Sequence, residues 1–260
     1  MYSYDLNMQQ LPSNQLLIIK QDPLNVNWED ISHNNILSED FIREFQEFVF
    51  WPYISDRQQL SEDFIREFQD KLHWGVFEDD LEFSKNGPGF YDDESESYHG
   101  NLSYYQHLSE NFIREFQDKV NWYTISGSQV LSELFMIEFQ DKLDWYLISQ
   151  YQILSESFIL MFKKKLNWPI LFAYQSLSIK LINKYQHKII SWDNLCVDQK
   201  LTEKFIIKFQ HKVNWFNISR HQELSQQFII DNFEKLNTDQ LLHNNYLTNN
   251  IKEYITLLKR

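Results

Sequence analysis

The sequence has little of what disulfide frameworks, phosphate-binding loops and membrane spans require. Its single cysteine, Cys196, excludes an intrachain disulfide framework and a cysteine-rich zinc module. No apolar stretch approaches the roughly 20 residues of a membrane helix, and no basic-then-apolar leader opens the chain. We therefore expect an intracellular protein with no membrane contact.

Motifs of known chemistry are missing as well. The chain has five glycines, and it contains no Gly-rich phosphate loop, no G-x-S-x-G and no H-E-x-x-H. Lys and Arg number 24 against 37 Asp and Glu, and the net charge of -13 argues against a general nucleic-acid binder. We expect no enzymatic activity and no cofactor.

What the sequence does contain is a repeat of 23 residues, L-S-E-x-F-I-x-x-F-Q-x-K-[LV]-[ND]-W-x-x-I-S-x-x-Q-x. All eight tryptophans fall at its position 15, and Trp28 marks a degenerate first copy whose first helix lies within Ser13 to Lys20. One copy carries an extra residue, Ile190. Eight copies follow the degenerate one, and the extra residue lies in the copy that begins at Leu177. They begin at Leu37, Leu60, Leu108, Leu131, Leu154, Leu177, Leu201 and Leu224.

Each unit contains two helix starts. Ser109 is a predicted N-cap, and Asn121, directly before Trp122, is a second one. The spacing predicts a helix of about three turns followed by one of about two. Helices this short are marginal alone in water, so each unit must pack on its neighbours. The fold class is an all-α solenoid of about nine two-helix repeats with one loop insertion.

These signals divide the chain into an N-terminal cap with the degenerate copy (1–36), the solenoid (37–236) and a C-terminal capping helix (237–260). The insertion, 78–101, follows Trp74 and is rich in Asp, Glu and Gly. It is either a mobile excursion or a docking arm that uses Phe83, Phe90 and Tyr91.

Candidate chemical groups all fit the repeat better than a site. His187 and His211 occupy the same repeat position, which makes them periodic before it makes them metal ligands. Cys196 replaces a small serine and is interpreted as a packed side chain rather than a nucleophile. The tryptophans are interpreted as core rather than base-stacking groups. A recurring glutamine, for example Gln222, is interpreted as an internal hydrogen-bond ladder.

Charge is the one feature that exceeds the repeat pattern. The chain up to Ile153 has a net charge of -19 and the remainder +6. Two lysine triplets at i, i+4, i+8 should form a grid that is a solvated face or binds an acidic protein, a second copy's acidic half or a polyanion. The grid comprises Lys180, Lys184, Lys188, Lys204, Lys208 and Lys212.

The repeat, as in Leu108 to Gln129, resembles short helical repeats of uncharacterised proteins from giant DNA viruses of amoebae. The resemblance spans roughly Leu37 to Leu236 and implies a place in the host cytoplasm or the virion, and no catalytic residue is carried over from it. The leading hypothesis is a non-enzymatic scaffold for an unidentified protein partner. The alternatives are a nucleic-acid-associated repeat protein that uses the lysine grid, and a virion component that self-assembles through its oppositely charged ends.

Overall fold

The computed structural model describes residues 8–74 and 102–258. Short helices follow one another throughout these ranges, and neighbouring helices are in contact. The predicted all-α solenoid of two-helix repeats is therefore confirmed. The chain divides into two compact units, Met1–Leu143 and Asp144–Arg260, which are built from the same repeat.

The first helix of each repeat begins one residue after the predicted cap. In the unit that ends at Leu143 these helices are Glu39–Glu44, Glu62–Glu67, Glu110–Glu115 and Glu133–Glu138. In the unit that begins at Asp144 they are Glu156–Met161, Ile179–Tyr185, Glu203–Lys208 and Gln226–Asp231.

The second helices begin at the tryptophan, except for the one that follows the insertion and the last one, which has Thr238 in its place, and they contact one another in chain order within each unit. In the unit that ends at Leu143 they are Trp28–Asn34, Trp51–Arg57, Leu102–Tyr105 and Trp122–Ser128. In the other unit they are Trp145–Tyr151, Trp168–Tyr174, Trp192–Asp198, Trp215–His221 and Thr238–Leu242.

The predicted helix starts are confirmed by the capping hydrogen bonds. Ser109 Oγ accepts from the backbone N–H of Phe112 over 3.2 Å, and Asn121 Oδ1 accepts from that of Thr124 over 3.0 Å. A polar cap thus satisfies an N–H that has no acceptor within the helix. Ser191 caps its helix in the same way despite the extra residue before it.

The first helix is shorter than the three turns predicted. It ends at a Phe, such as Phe116 with φ -107° and ψ 28°, after about six residues. The next turn bonds back to this residue, because Val120 N–H donates to Phe116 O over 3.1 Å. The bend leaves the carbonyl of Gln117 available, and Trp122 Nε1 donates to it over 2.8 Å.

The insertion falls between the tryptophan of its repeat, Trp74, and the second helix, which begins at Leu102. Residues 78–101 lie outside the described residues, but Leu102 N–H donates to the carbonyl of His73 over 3.0 Å. Ser103 Oγ also donates to Trp74 O over 3.1 Å. Other repeats make both bonds within an uninterrupted helix, so this repeat keeps its hydrogen bonding across the insertion.

Short elements close both ends of the array. The N-terminal end consists of strand Gln9–Gln10, helix Ser13–Gln21 and the 3-10 turn Pro23–Asn25. The strand pairs in parallel with Asn35–Ile36. The C-terminal end is helix Asn249–Leu258, which contacts helix Thr238–Leu242.

One set of apolar positions forms the core of every repeat. In the copy that begins at Leu108, the side chains of Phe112, Ile113 and Ile125 are fully buried. Phe116 and Val120 are at most 7% exposed. Because a single unit has only this narrow stripe to bury, the core is completed by the adjacent repeats.

Candidate functional site

We call the exposed surface of the first helices, lined by repeat positions 4, 7 and 8, the first-helix face. In the unit that ends at Leu143, an arginine at position 7 donates to the glutamate at position 8 of the next repeat. The Nε to Oε2 distances are 2.8 Å for Arg43–Glu67, 2.9 Å for Arg66–Glu115 and 2.8 Å for Arg114–Glu138. This part of the face supplies its own counter-charges.

In the unit that begins at Asp144, apolar and lysine side chains replace this arginine–glutamate ladder. Met161 is 64% exposed, and Leu160 and Ile207 are 38% and 40% exposed. Lys208 Nζ donates to Asn183 Oδ1 over 2.9 Å, so a neutral amide stands where the ladder has an ion pair. The first-helix face therefore changes from charge-paired to basic and apolar.

All six lysines of the predicted grid are exposed. Lys180 and Lys184 lie in the helix that ends at Tyr185, whereas Lys188 lies in the 3-10 turn that follows. Lys212 is likewise beyond the end of its helix. The prediction that each triplet shares one helix face is wrong for its third member, because the first helix ends before a third turn.

The third lysine of each triplet covers a tryptophan ring instead. Lys188 Nζ lies 5.7 Å from the ring centroid of Trp168, and Lys212 Nζ lies 5.4 Å from that of Trp192. Such cation–π contacts contribute about 0.5 to 2 kcal/mol. The lysine at this repeat position is therefore part of the packing between repeats.

The tryptophans pack between repeats, as predicted, although most are half-buried. The ring of Trp122 lies 4.9 Å from that of Phe139, and Lys142 Nζ covers it at 5.3 Å. Trp168 is 3% exposed and stacks on Tyr185 at 4.1 Å. These contacts confirm that the tryptophan ladder is a packing element.

The glutamine row is an internal hydrogen-bond ladder, as predicted. Gln222 Oε1 accepts from Leu201 N–H over 2.8 Å, and its Nε2 donates to the carbonyls of Cys196 and Gln199 over 2.7 and 2.8 Å. The row also includes Gln58 and Gln106, which make the same bonds. These side chains are buried, so they hold backbone groups of adjacent repeats together.

Cys196 occupies the place of a linking serine. In other repeats the serine hydroxyl accepts from the next repeat's backbone, as Ser149 Oγ does from Asn167 N–H over 2.9 Å. Cys196 is fully buried, and this burial raises the pKa of its thiol to about 11, opposed by a hydrogen bond from the backbone of Asn214. A buried, protonated thiol is a poor nucleophile, which supports the packing interpretation.

A serine at this position should make stability less sensitive to alkaline pH. Burial raises the pKa of Cys196 in the folded protein from 9.0 to about 11. The contribution of the protonated thiol to folding stability is therefore complete below pH 9 and is lost as the pH rises towards 11. We expect Cys196→Ser to fold and to lose less stability across this window than the wild type. Urea unfolding at successive pH values tests this, and parallel pH profiles would contradict it.

Among the described residues, His187 and His211 are not part of a metal cluster. His187 and His211 are exposed. Within residues 8–74 and 102–258, no group of three or more His, Cys, Asp or Glu side chains could hold a metal ion.

A cavity of about 410 Å³ in the unit that begins at Asp144 was not predicted from the sequence. It is lined by Lys163, Lys164, Leu166, Tyr185 and Lys188. Only Lys188 belongs to the predicted grid. The run K-K-K at residues 163–165 is the sequence signal that could have indicated it.

Two further predictions concern the docking arm and a membrane-spanning helix. Phe83, Phe90 and Tyr91, the predicted docking-arm residues, lie outside the described residues. Among the residues that are described, no helix has the length and apolar content needed to cross a bilayer.

Comparisons with protein-family models, with curated proteins and with solved structures give no match. The resemblance to helical repeats of giant DNA viruses therefore stays a prediction.

Proposed function

We propose that the protein is a non-enzymatic scaffold that binds an acidic protein partner through the first-helix face of residues 144–260. One observation carries this proposal. The arginine–glutamate ladder of the other unit is replaced here by exposed Met161, Ile207, Lys184 and Lys208. This surface has lysines without the ion pairs of the other unit, and it exposes apolar groups. It is therefore suited to a partner whose carboxylates pair with the lysines.

The combination of charges and apolar groups favours a protein partner. Protein interfaces join apolar contacts in a buried centre with complementary charges. Among the described residues, Lys184 and Lys208 have no carboxylate within ion-pair distance. Their ammonium groups are therefore available to an acidic surface, and Met161 and Ile207 offer the apolar contact.

The internal use of the polar rows supports a non-enzymatic role. The serine hydroxyls and glutamine amides that recur in each repeat bond to backbone groups of adjacent repeats. These groups are occupied by structural hydrogen bonds, so they are not free to act on a substrate.

Self-association through oppositely charged ends is the second candidate. It is less favoured because the glutamates of the first-helix face in the unit that ends at Leu143 already bind arginines, as Glu67 binds Arg43 over 2.8 Å. A second copy would have to displace these bonds. Nucleic-acid binding is opposed by the net charge of -13. Location in the host cytoplasm or the virion stays a prediction.

The test is charge reversal on the face. We expect Lys184→Glu/Lys208→Glu to fold normally, because both side chains are exposed, and to lose partners that co-purify with the wild type. The matched control, Lys200→Glu/Lys252→Glu, has the same charge change elsewhere and should retain them. Binding to the wild type should weaken as salt rises from about 50 to about 300 mM, because the charges are exposed.

Three outcomes would count against the proposal. Equal loss in the control variant would indicate general charge attraction. A wild type that sediments as a salt-sensitive oligomer, and as a monomer in the double variant, would favour self-association. RNA or duplex DNA binding that the double variant lacks would favour the nucleic-acid alternative.

A further inference from the structure

The cavity between two repeats at residues 163–188 places three lysine side chains around one space. Lys163 and Lys164 follow a first helix, and Lys188 comes from the next repeat. Leu166 and Tyr185 form the apolar part of the lining. The three lysines are exposed, so the cavity, with a volume of about 410 Å³, is open to solvent.

In the other unit, the equivalent lysines bind side chains of the preceding repeat. Lys119 Nζ donates to Gln69 Oε1 over 2.9 Å and to Asp70 Oδ1 over 3.0 Å. Lys71 bonds in the same way to Gln46 and Glu47, over 3.1 and 2.8 Å. A lysine at repeat position 12 thus binds an amide and a carboxylate of the preceding repeat.

At the cavity both acceptors are replaced by cations. Lys163 stands at the position of Gln69, and Lys164 stands at the position of Asp70. Lys188 keeps its contact with the Trp168 ring, and it lines the cavity together with the two lysines that replace these acceptors. In the part of the chain that the structure describes, none of the three lysines has a carboxylate within ion-pair distance.

We infer that this cavity binds carboxylate side chains of an acidic peptide segment on a partner protein. In the unit that ends at Leu143 the group at this place is a carboxylate, as in the contacts of Lys71 with Glu47, Lys119 with Asp70 and Lys142 with Asp118. Leu166 and Tyr185 suit the methylene groups of Glu and Asp side chains. A carboxylate is favoured over a phosphate because carboxylates, Glu47, Asp70 and Asp118, bind the equivalent lysines in the other unit.

This site is separate from the first-helix face, so the inference goes beyond the proposed function. Neither Lys184 nor Lys208 lines the cavity. A variant that removes peptide binding here can leave the other face intact, and the two proposals can fail independently.

The experiment restores the repeat's own carboxylate. Lys164→Asp should place an acceptor next to Lys188, as Asp70 is next to Lys119. We expect an oligo-glutamate peptide to bind the wild type in calorimetry at low salt, and its Kd to rise by at least about tenfold in Lys164→Asp. An oligo-glutamine peptide of equal length should not bind.

Lys200→Asp is the matched control, because it makes the same charge change at an exposed residue outside the cavity. It should leave the Kd within about twofold of the wild type, since distant exposed charges are screened. Lys184→Glu/Lys208→Glu should also retain peptide binding, which separates this site from the first-helix face.

Four results would overturn the inference. The first is no binding of oligo-glutamate to the wild type, and the second is equal weakening by Lys164→Asp and Lys200→Asp. The third is tighter binding of single-stranded RNA or inorganic triphosphate that Lys164→Asp removes, which would assign the cavity to phosphates. The fourth is a loss of circular dichroism in Lys164→Asp, since restoring the repeat pattern should preserve the fold.

Discussion

Replacing Gln222 with alanine is expected to lower the free energy of unfolding by about 3 to 5 kcal/mol. The amide is 3% exposed and bonds to Leu201 N–H and to the carbonyls of Cys196 and Gln199. Alanine leaves these three backbone groups without their acceptor or donor in a space closed to water. Each buried unsatisfied group costs about 1 to 3 kcal/mol, which sets the size of the effect.

Urea unfolding followed by circular dichroism measures the change. Gln226→Ala is the matched control, because Gln226 is exposed at the start of a first helix. It should change stability by less than about 0.5 kcal/mol. A Gln222→Ala protein as stable as this control would mean that water replaces the amide and that the ladder contributes little.

Much of the fold could be predicted because the same helix-start signals recur in successive copies of the repeat. A polar cap such as Ser109, followed by apolar residues at helical spacing, determines where each helix begins. The end of the first helix could not be predicted in this way. It depends on the bend at residues such as Phe116. This bend leaves the carbonyl of Gln117 available, and the indole N–H of Trp122 donates a hydrogen bond to it.

Contacts between repeats were predicted only where a recurring residue type has few possible roles in the core. A recurring glutamine in an apolar setting predicts a hydrogen-bond ladder. The glutamate of L-S-E makes a contact that the spacing does not indicate, because Glu110 Oε1 accepts from the backbone N–H of Ser132 over 2.6 Å. Such a contact reaches into the next repeat, and a one-dimensional pattern does not indicate it.

The candidate sites show the same limit. Exposure of Lys184 and Lys208 followed from their helical spacing. The cavity required two further facts, namely that the lysine at repeat position 12 reaches the preceding repeat, and that in the unit that ends at Leu143 it binds a carboxylate there. The contacts of Lys71, Lys119 and Lys142 reveal that Lys164 stands where that unit has a carboxylate.

Replacing Trp122 with alanine should lower the free energy of unfolding by about 3 to 4 kcal/mol. Its ring lies against Phe135 and Phe139, is covered by Lys142, and donates Nε1 to Gln117 O. Alanine removes all four contacts and leaves a cavity between two repeats. Unfolding in urea, followed by circular dichroism and by fluorescence of the remaining tryptophans, measures the change.

Trp122→Phe separates packing from hydrogen bonding at the same position. Phenylalanine keeps a ring against Phe139 and under Lys142 but has no N–H for Gln117 O, so the loss should be only about 1 to 2 kcal/mol. Because packing predicts that stability falls in order of ring size, the alanine variant must be the less stable of the two. The contrary result has two parts. If the wild type binds single-stranded RNA, and Trp122→Ala loses that binding while keeping its stability, the ladder is a base-stacking surface.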